Sequence, residues 1–513
     1  MIDVREIAEV RAAEERAFAL LADGVLMQRA SHGLSVTILR LLRSTRGAVV
    51  GARVVLLVGS GNNGGDALWA GAMLARRGCR VDALCLPEHP HPHGEAALRA
   101  AGGRSVHWRP GDRESTGVLS AADVVVDGIL GIGGAGALRP EAAALVEEAM
   151  ASDAIVVAVD VPSGVDSDSG AVAGPAVAAD VTVTFGALKT GLLVSPGALR
   201  SGSVILVDIG LEFDSPARTR VLEPIDVAAW VAEPAQDAYK YRRGVVGVSA
   251  GSTAYPGAAL LTMSAARRAN VGMARYLDRS DGVASRVVGQ YPDVVVDGMD
   301  PGDQSRVDAW ACGPGFPGDR LDAVTVGAVL AVPVPVVLDA GALSVLARDG
   351  DARSTVRDRH ARGHVTVITP HEGEFERIFP GLLAGRGGRL AATRQAASDS
   401  GAVVLLKGPG TIIAAPDGTA FIDVEGTADL GTAGSGDVLT GIIGALLAGA
   451  WSAGRRDAPS LLEASAAAVW LHGAAGRIAA GRAPVVATDI AAALPAAIRL
   501  ARFGDAAENG DAS

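Results

Sequence analysis

The sequence predicts an α/β protein of two domains, each built on a largely parallel sheet. Short continuous apolar runs, of the kind that is buried on both faces of a parallel sheet, alternate with helical patterns along the chain. Most of these runs end directly in glycine or polar residues, as strands do where an open α/β sheet forms its ligand crevice. A length of 513 residues accommodates two or three domains. We expect a Rossmann-like, doubly wound domain over residues 1–220 and a second α/β domain over residues 221–513.

The charge balance and the cysteine count exclude several classes of protein. Lys and Arg number 46 against 57 Asp and Glu, a net charge of −11, whereas nucleic-acid-binding proteins usually carry a basic face. The longest uncharged apolar run, residues 438–451, is shorter than the roughly 20 residues of a membrane span. Three cysteines without a CxxC pair indicate neither a disulfide framework nor a zinc site. We expect a cytoplasmic, homo-oligomeric enzyme with no nucleic-acid or membrane partner.

The first half of the chain begins with amphipathic helices over residues 4–46. An apolar strand at residues 53–58 then leads into a loop of sequence GSGNNGGD, and a helical pattern follows through residue 77. The next strand covers residues 80–86, so the order is strand, loop, helix, strand, as at the start of a doubly wound domain. Later strands end at Asp127, Asp160 and Lys189, and we expect their ends to meet at one edge of the sheet.

The GSGNNGGD loop occupies the position of a dinucleotide fingerprint without matching GxGxxG. Asn62 and Asn63 offer side-chain carbonyl oxygens, while Asp66 caps or lines the turn. Asp127 and Ser163, at neighbouring strand ends, could complete an oxygen cage for a monovalent cation, or the loop could contact ribose and phosphate. The alternative is turn chemistry alone, because Asn and Gly are common turn formers.

In the second half, a proline-containing seam at residues 212–238 precedes a new α/β series that starts near residue 244. Its strands end in glycine, aspartate, histidine or lysine residues, and these ends are where we expect the chemistry. They are Gly313-Pro-Gly315, Asp339, Thr369-Pro-His371 and Lys407-Gly-Pro-Gly-Thr411.

The stretch Gly434-Ser-Gly-Asp437 runs directly into a long apolar helical pattern. A glycine-rich turn before a helix exposes backbone N–H groups at the positive end of the helix dipole, which attracts phosphate or a developing oxyanion. Asp437 in the first turn could then activate a hydroxyl beside a transferring phosphoryl group. The alternative is that Asp437 only caps the helix or interacts with its dipole.

Three further polar stretches allow alternative interpretations. The pair Glu372 and Glu374 forms either a solvated face or a magnesium site that works through water. The histidines His89, His91 and His93 resemble a metal site in composition, but the prolines between them favour a surface loop. Lys407 to Thr411 is a phosphate-type loop that lacks the Gly-Lys-Ser/Thr of a Walker A motif.

Four motifs in order, GSGNNGGD, VDGILGIG, VDVPSG and TFGALK, resemble the NAD(P)H-hydrate epimerase family over residues 1 to about 215. The resemblance implies a potassium ion held by Asn63, Asp127 and Ser163, with Asp160 as the acid/base that moves the proton at the hydrated carbon. The residues that it implies for binding the hydrated nucleotide are Asn62, Asn63, Gly64, Gly65, Asp66, Gly131, Ile132, Gly133, Gly134, Ala135, Gly136, Ala137 and Asp160.

The strand ends of the second half, together with GTAGSGDVLTGIIGALLAG, resemble the ribokinase-like fold and, more narrowly, the ADP-dependent NAD(P)H-hydrate dehydratase family over residues 225–500. The resemblance implies Asp437 as catalytic base and Mg²⁺ bound with ADP. The implied contacts to the hydrated cofactor are Ala258, Gly315, His371 and Asp437. The implied contacts to ADP and AMP are Lys407, Gly408, Pro409, Gly410, Thr411 and Gly436.

Three positions depart from these families. Ala67 replaces the usual glycine after NNGGD, Gln28 replaces a glutamate of LMERAG, and Gly341 replaces the second aspartate of DADAL. The function implied is repair of hydrated NADH and NADPH, by epimerisation in the first domain and ADP-dependent dehydration of the S form in the second. The alternative is a ribokinase-like kinase of a small hydroxymethyl substrate, with a non-catalytic nucleotide-binding first domain.

Overall fold

The computed structural model describes the whole chain except residues 135, 238, 280–281, 299–300, 304–305, 386, 482 and 505–513. The chain divides into two compact units. One comprises Asp3–Ala217, and the other comprises Met1–Ile2 with Arg218–Ser513. Both are α/β with largely parallel sheets, which confirms the predicted fold class.

The N-terminal unit contains a seven-stranded parallel sheet in the order β4-β3-β2-β5-β6-β7-β9 and a separate parallel pair, β1 with β8. Its elements are β1 Ile2–Arg5, α1 Ile7–Leu20, α2 Val25–Arg46, β2 Arg53–Val58, α3 Asn62–Arg76, β3 Arg80–Cys85, α4 Pro92–Ala100, β4 Arg104–His107, α5 Arg113–Ser120, β5 Val124–Gly128, α6 Pro140–Met150, β6 Ile155–Val159, β7 Val181–Phe185, β8 Leu188–Lys189, α7 Thr190–Leu193, α8 Ala198–Ser201 and β9 Ser203–Val207.

The apolar run of β2 forms a central strand, buried from its second residue to its last. It pairs with β3 on one side and β5 on the other, so the loop after β2 and the ends of β5 and β6 lie at one edge. Gly64, in the first turn of α3, has no room for a side chain, because an added Cβ would overlap the carbonyl oxygen of Gly59. The glycines of this loop therefore allow α3 to start directly against the end of β2.

The C-terminal unit has the strand order β13-β12-β11-β14-β15-β16-β17-β18-β19-β10, parallel from β13 to β17 and antiparallel on both sides of β18. Its elements are β10 Thr219–Val221, α9 Pro224–Ala228, β11 Val245–Ser249, α10 Pro256–Arg268, β12 Met273–Leu277, α11 Val283–Gln290, β13 Val295–Asp297, β14 Ala309–Cys312, α12 Arg320–Ala331, β15 Val336–Leu338, α13 Gly341–Arg348, α14 Gly350–Ala361, β16 Thr366–Ile368, α15 Glu372–Ile378, α16 Gly388–Ser400, β17 Val403–Leu406, β18 Thr411–Ala414, β19 Ala420–Asp423, α17 Ser435–Ser452, α18 Ala458–Ala480 and α19 Ala487–Phe503.

Helix α17 is the central helix of this unit. It is apolar enough to cross a membrane by length and composition alone, but 72% of it is buried in the protein core. Gly441 and Gly444 let it approach its neighbours, since an added Cβ would overlap the carbonyl oxygen of Thr262 on α10 or lie 2.9 Å from Ala311 on β14. This close packing fixes the start of α17 against the sheet.

Candidate functional site

The start of α17 forms a glycine turn whose conformation is set by its neighbours. Gly434, the residue before the helix, has φ 86°, and a side chain there would overlap Leu261. The hydroxyl of Ser435 lies 3.0 Å from Nε2 of His472 on α18, and both residues are buried. Burial lowers the pKa of His472 to about 4, so its ring is neutral at pH 7. A neutral buried imidazole therefore anchors the first residue of α17, at the end of the helix that attracts anions.

Asp339 and Lys407 form the charged centre beside this turn. Asp339 follows β15 and Lys407 follows β17, and their carboxylate and ammonium groups lie 2.9 Å apart. Thr440 on α17 donates a 2.8 Å hydrogen bond to the other oxygen of Asp339. Burial opposes ionisation of Asp339, but the charge and hydrogen bond of Lys407 and the hydroxyl of Thr440 together lower its pKa. The pair is therefore ionised at neutral pH and connects the helix to two strand ends.

Asp437 lies in the first turn of α17, close to this pair. Burial, followed by the charge of Asp339, raises its pKa to about 7, and Lys407 only partly offsets the rise. A carboxylate with a pKa near the working pH suits a general base, because it is available in the ionised form and still takes up a proton readily. Gly436 leaves the space open: an added Cβ would lie 3.5 Å from Nζ of Lys407 and 3.6 Å from Oδ2 of Asp339.

The loop from Lys407 to Thr411 surrounds the end of β17. Gly408 and Gly410 have φ values of 143° and 67°, conformations that L side chains rarely adopt. The hydroxyl of Thr411 donates to the carbonyl oxygen of Gly408 over 3.0 Å. The ammonium group of Lys407 turns towards Asp339 rather than along this loop, with Glu374 at 3.9 Å. Apart from the placement of both residues at strand ends, no sequence pattern indicated that ion pair.

His371, Glu372 and Glu374 each interact with a different partner. The Nδ1 atom of His371 accepts the N–H of Gly373 over 3.0 Å at the start of α15, and 57% of its side chain is exposed. Glu374 accepts the N–H of His371, while the exposed Glu372 pairs with Arg389. In the described part of the chain, no group of three His, Cys, Asp or Glu side chains could hold a metal ion. Glu372 and Glu374 therefore each bind a protein group in this structure.

Ala258 and Gly315 lie together on another wall of this unit. Gly315 has φ 70°, and an added Cβ there would be 2.7 Å from Cβ of Ala258. Ser252, after β11, donates a 2.9 Å hydrogen bond to the carbonyl oxygen of Gly315. Gly341, the departure from DADAL, packs against Phe316, whose Cβ and carbonyl oxygen an added side chain would meet. The aspartate that is usual at this position thus has no room here.

The N-terminal unit encloses a cavity of about 510 Å³, within the size range of small-molecule sites. It brings together five of the predicted residues: Asn62, Asn63, Asp66, Ile132 and Asp160. Gly131, Gly134 and Gly136 line a separate crevice with Ser163. Gly64 and Gly65 are buried in the first turn of α3. Gly133 and Ala137 line neither space, and Ala135 lies outside the described residues.

Asp160 is held firmly at the cavity wall. It has a φ of 65°, an uncommon conformation for a residue with a side chain. The buried ammonium group of Lys189 donates to its carboxylate over 2.6 Å, to the hydroxyl of Thr184 over 2.9 Å and to the carbonyl oxygen of Phe185 over 2.8 Å. Strain of this kind is maintained at functional sites by the surrounding structure. Lys189, part of the TFGALK motif, is thus a positioning residue for Asp160.

Asp66 and Glu14 line the same cavity as Asp160. Burial, and then the charge of Asp160, raises the pKa of both carboxyl groups, well above the ordinary value for Asp66. The hydroxyl of Ser31 donates a long 3.4 Å bond to Asp66. Gln28 also lines the cavity, so the departure from LMERAG removes one further negative charge from this space.

The oxygen atoms near Asp127 suit a monovalent cation. The fully buried carboxylate of Asp127 accepts bonds from the N–H and hydroxyl groups of Ser163 over 2.8 and 2.7 Å. Burial raises its pKa to about 6, and within the described residues it has no cationic partner. The amide of Asn63 donates to the carbonyl oxygens of Leu130 and Val159, which leaves its own oxygen as an acceptor. One carboxylate among neutral oxygens fits a singly charged ion.

The two sheets and their strand-end sites define a two-domain α/β enzyme with one candidate site in each domain. Two family models match the chain: "YjeF-related protein N-terminus" over residues 23–191 and "NAD(P)H-hydrate dehydratase" over residues 246–496. The bifunctional NAD(P)H-hydrate repair enzyme Nnr of Mycobacterium tuberculosis is 44% identical over 417 residues, 81% of this chain and 82% of that protein. The chain belongs to the bifunctional NAD(P)H-hydrate repair enzyme family.

Two further proteins are similar to this chain. The Nnr enzyme of Mycobacterium leprae is 42% identical over 418 residues, 81% of this chain and 83% of its own length. A solved ADP/ATP-dependent NAD(P)H-hydrate dehydratase from Bacillus subtilis, co-crystallised with ATP/Mg²⁺, is 27% identical with a TM-score of 0.46. The match covers 55% of this chain and 98% of the Bacillus subtilis chain.

Proposed function

We propose that this protein repairs hydrated NADH and NADPH: its first domain epimerises the hydrated ring, and its second domain dehydrates the S epimer at the expense of ADP. The observation that supports the second activity is the environment of Asp437. This carboxyl group has a pKa of about 7 and lies in the first turn of α17, a helix whose N-cap residue is glycine. Lys407, which is paired with Asp339, lies beside it. An anion site and a base side by side are what phosphoryl transfer to a hydroxyl requires.

In the proposed dehydration, Asp437 takes the proton of the substrate hydroxyl as that oxygen attacks the β-phosphorus of ADP, and AMP departs. The backbone N–H groups at Gly434 to Gly436 stabilise the charge on the transferring phosphoryl group. The ring nitrogen's lone pair then expels phosphate, and loss of a proton from the adjacent ring carbon restores the dihydropyridine. Phosphorylation thus converts a poor leaving group into a good one.

The remaining residues of the second domain bind the two substrates. Ala258, Gly315 and His371 contact the hydrated cofactor, while Lys407 to Thr411 and Gly436 contact the adenine nucleotide. Lys407 stands among the three carboxyl groups of Asp339, Glu374 and Asp437, while the neighbouring Arg389 is paired with Glu372. Because this centre is not net positive, magnesium on ADP would supply the charge that offsets the phosphates.

In the first domain, Asp160 moves protons at the hydrated carbon, with Lys189 holding its carboxylate in place. Residues Asn62 to Asp66 and the 131–137 segment bind the nucleotide. Asn63, Asp127 and Ser163 would hold potassium, which supplies positive charge to balance Asp127 and the substrate phosphates. Cytoplasmic location and assembly as a homo-oligomer belong to the same proposal, and light scattering of the purified protein tests the assembly.

Product analysis tests the second activity. We expect the S epimer and ADP to yield one AMP and one phosphate for each NADH formed. Accumulation of a stable phosphorylated product without NADH would instead support the kinase alternative.

A further inference from the structure

His89 and His91 lie in the loop between β3 and α4, and His93 lies in the first turn of α4; His91 and His93 line the N-terminal cavity. His91 precedes α4, where its Nδ1 atom accepts the N–H of Gly94 over 3.1 Å. A neutral imidazole that accepts at Nδ1 carries its proton on Nε2, so His91 retains one donor. The rings of His91 and His93 have centroids 6.2 Å apart. His89 is exposed and does not line the cavity.

His91 lies directly on the glycine loop that binds the substrate in the proposed function. An added Cβ at Gly65 would be 3.1 Å from Cδ2 of His91, so the imidazole packs against the first turn of α3. That turn has no acidic residue. The imidazole thus adjoins a helix N-terminus, which itself attracts anions.

Carboxyl and imidazole side chains are unevenly distributed around the cavity. Four carboxyl side chains line it: Glu14, Asp23, Asp66 and Asp160. Among the lining residues that the structure describes, only His91 and His93 have side chains that can carry a positive charge. The substrate of the proposed function is a dinucleotide with a pyrophosphate, and NADPHX carries a third phosphate. Lys189 is already bound to Asp160, so His91 and His93 are the basic side chains of the described lining that such an anion can approach.

The sheet topology also supports a phosphate site at the histidines. The sheet order places β3 next to β2, and the histidine loop follows β3. In doubly wound dinucleotide-binding sheets, the pyrophosphate lies at the start of the helix after the first strand, and the adenosine ribose lies near the end of the adjacent strand. The reacting ring would then lie towards Asp160, and the phosphates would lie at the histidines.

We propose that His91 and His93 form the phosphate subsite of the epimerase domain and bind the phosphate groups of hydrated NADH and NADPH. This inference rests on the proposed epimerase function and adds the residues that recognise the anionic part of its substrate. It also accounts for the HPHPH sequence without a metal, since Pro90 restricts the loop before His91 and Pro92 begins the helix that carries His93.

The test compares epimerisation by the full-length wild type with that of the H91N/H93A double variant. The H91N substitution retains an N-cap acceptor for α4 but removes the Nε2 donor. Loss of charge-assisted hydrogen bonds should raise KM for NADHX and NADPHX by about ten- to a hundredfold with little change in kcat. Epimerisation of the phosphate-free hydrated dihydronicotinamide riboside should be unchanged. H89N, in the same loop but outside the cavity, is the matched control and should behave as wild type.

A larger effect on NADPHX than on NADHX would assign the histidines to the 2′-phosphate, and equal effects would assign them to the pyrophosphate. An unchanged KM for both dinucleotides would overturn the proposal, as would an equal loss on the riboside, since either shows that the histidines do not recognise phosphate. Thermal melting of the double variant identifies a folding defect, in which case the H91N and H93A single variants decide by the same comparison. Absence of epimerisation in wild type would contradict the proposed function itself, independently of the variants.

Discussion

Replacing Asp437 by asparagine should abolish dehydration while making the protein more stable. Asn has nearly the same shape as Asp but cannot accept the hydroxyl proton, and loss of a general base typically lowers kcat by about 10²- to 10⁴-fold. The same change removes a charge that burial and Asp339 make unfavourable. In the wild type, we expect the rate to fall as pH drops below about 7, because protonated Asp437 cannot act as a base.

The stability effect follows from the pKa of Asp437 in the folded state. A rise from 3.8 to about 7 corresponds to about 4 kcal/mol of folding free energy. Because the folded pKa is the higher one, this cost is absent below about pH 4, grows between pH 4 and 7, and is complete above 7. Residual solvent exposure reduces it, so we expect D437N to gain about 2–4 kcal/mol above pH 7 and almost nothing at pH 4.

Two assays on the same purified variant test this reasoning. NADH formation from the S epimer with ADP measures dehydration, and denaturant unfolding at pH 4 and pH 8 measures stability. Epimerisation by the N-terminal domain serves as the internal control and should be unchanged. Dehydration within tenfold of wild type would refute the base role of Asp437. A variant less stable than wild type at pH 8 would refute the electrostatic argument.

Three further substitutions test the rest of the structure. K407M should abolish dehydration and lower the unfolding free energy by about 3–5 kcal/mol, because it leaves the buried charge of Asp339 unpaired; denaturant unfolding measures this. D127N should remove the potassium dependence of epimerisation and leave dehydration of the S epimer intact, as measured by titrating potassium in each assay. G341A should cost about 1–3 kcal/mol of stability in thermal unfolding, because the new methyl group meets Phe316.

For each of these three substitutions, one outcome would contradict the structural argument. Unchanged stability of K407M would mean that Asp339 pairs with another group or becomes protonated. If epimerisation by D127N depended on potassium as strongly as wild type does, the cation would have to bind at another site. A fully stable G341A would show that Phe316 can move aside, so that the aspartate usual in the family was not excluded by space.

Much of the fold and part of the site could be predicted from sequence, because both depend on local patterns. The buried runs of β2 and β5 and the glycine turn before α17 are visible as composition and spacing, and the structure places each as expected. Asp437 could be located because its position in a first helical turn follows from the sequence. Its pKa could not, since that depends on burial in the folded domain and then on Asp339, which lies 98 residues earlier.

Other features depended on contacts between distant segments and had no local signal. His472 lies in the middle of the apolar helix α18, and nothing around it indicates that it holds Ser435. The positive φ of Asp160 and its ion pair with Lys189 arise where two strand ends meet. The histidines of the β3–α4 loop were visible as a motif, but their place at the cavity depends on how α4 packs on α3.

The central claim is that one chain performs both repair steps. The most direct test supplies mixed epimers of hydrated NADH with ADP, magnesium and potassium, and follows the absorbance of NADH. If both domains act as proposed, the whole mixture is converted, and conversion of the R form is faster than its spontaneous epimerisation. Conversion that stops after the S epimer, with the remainder reacting only at the spontaneous rate, would contradict it.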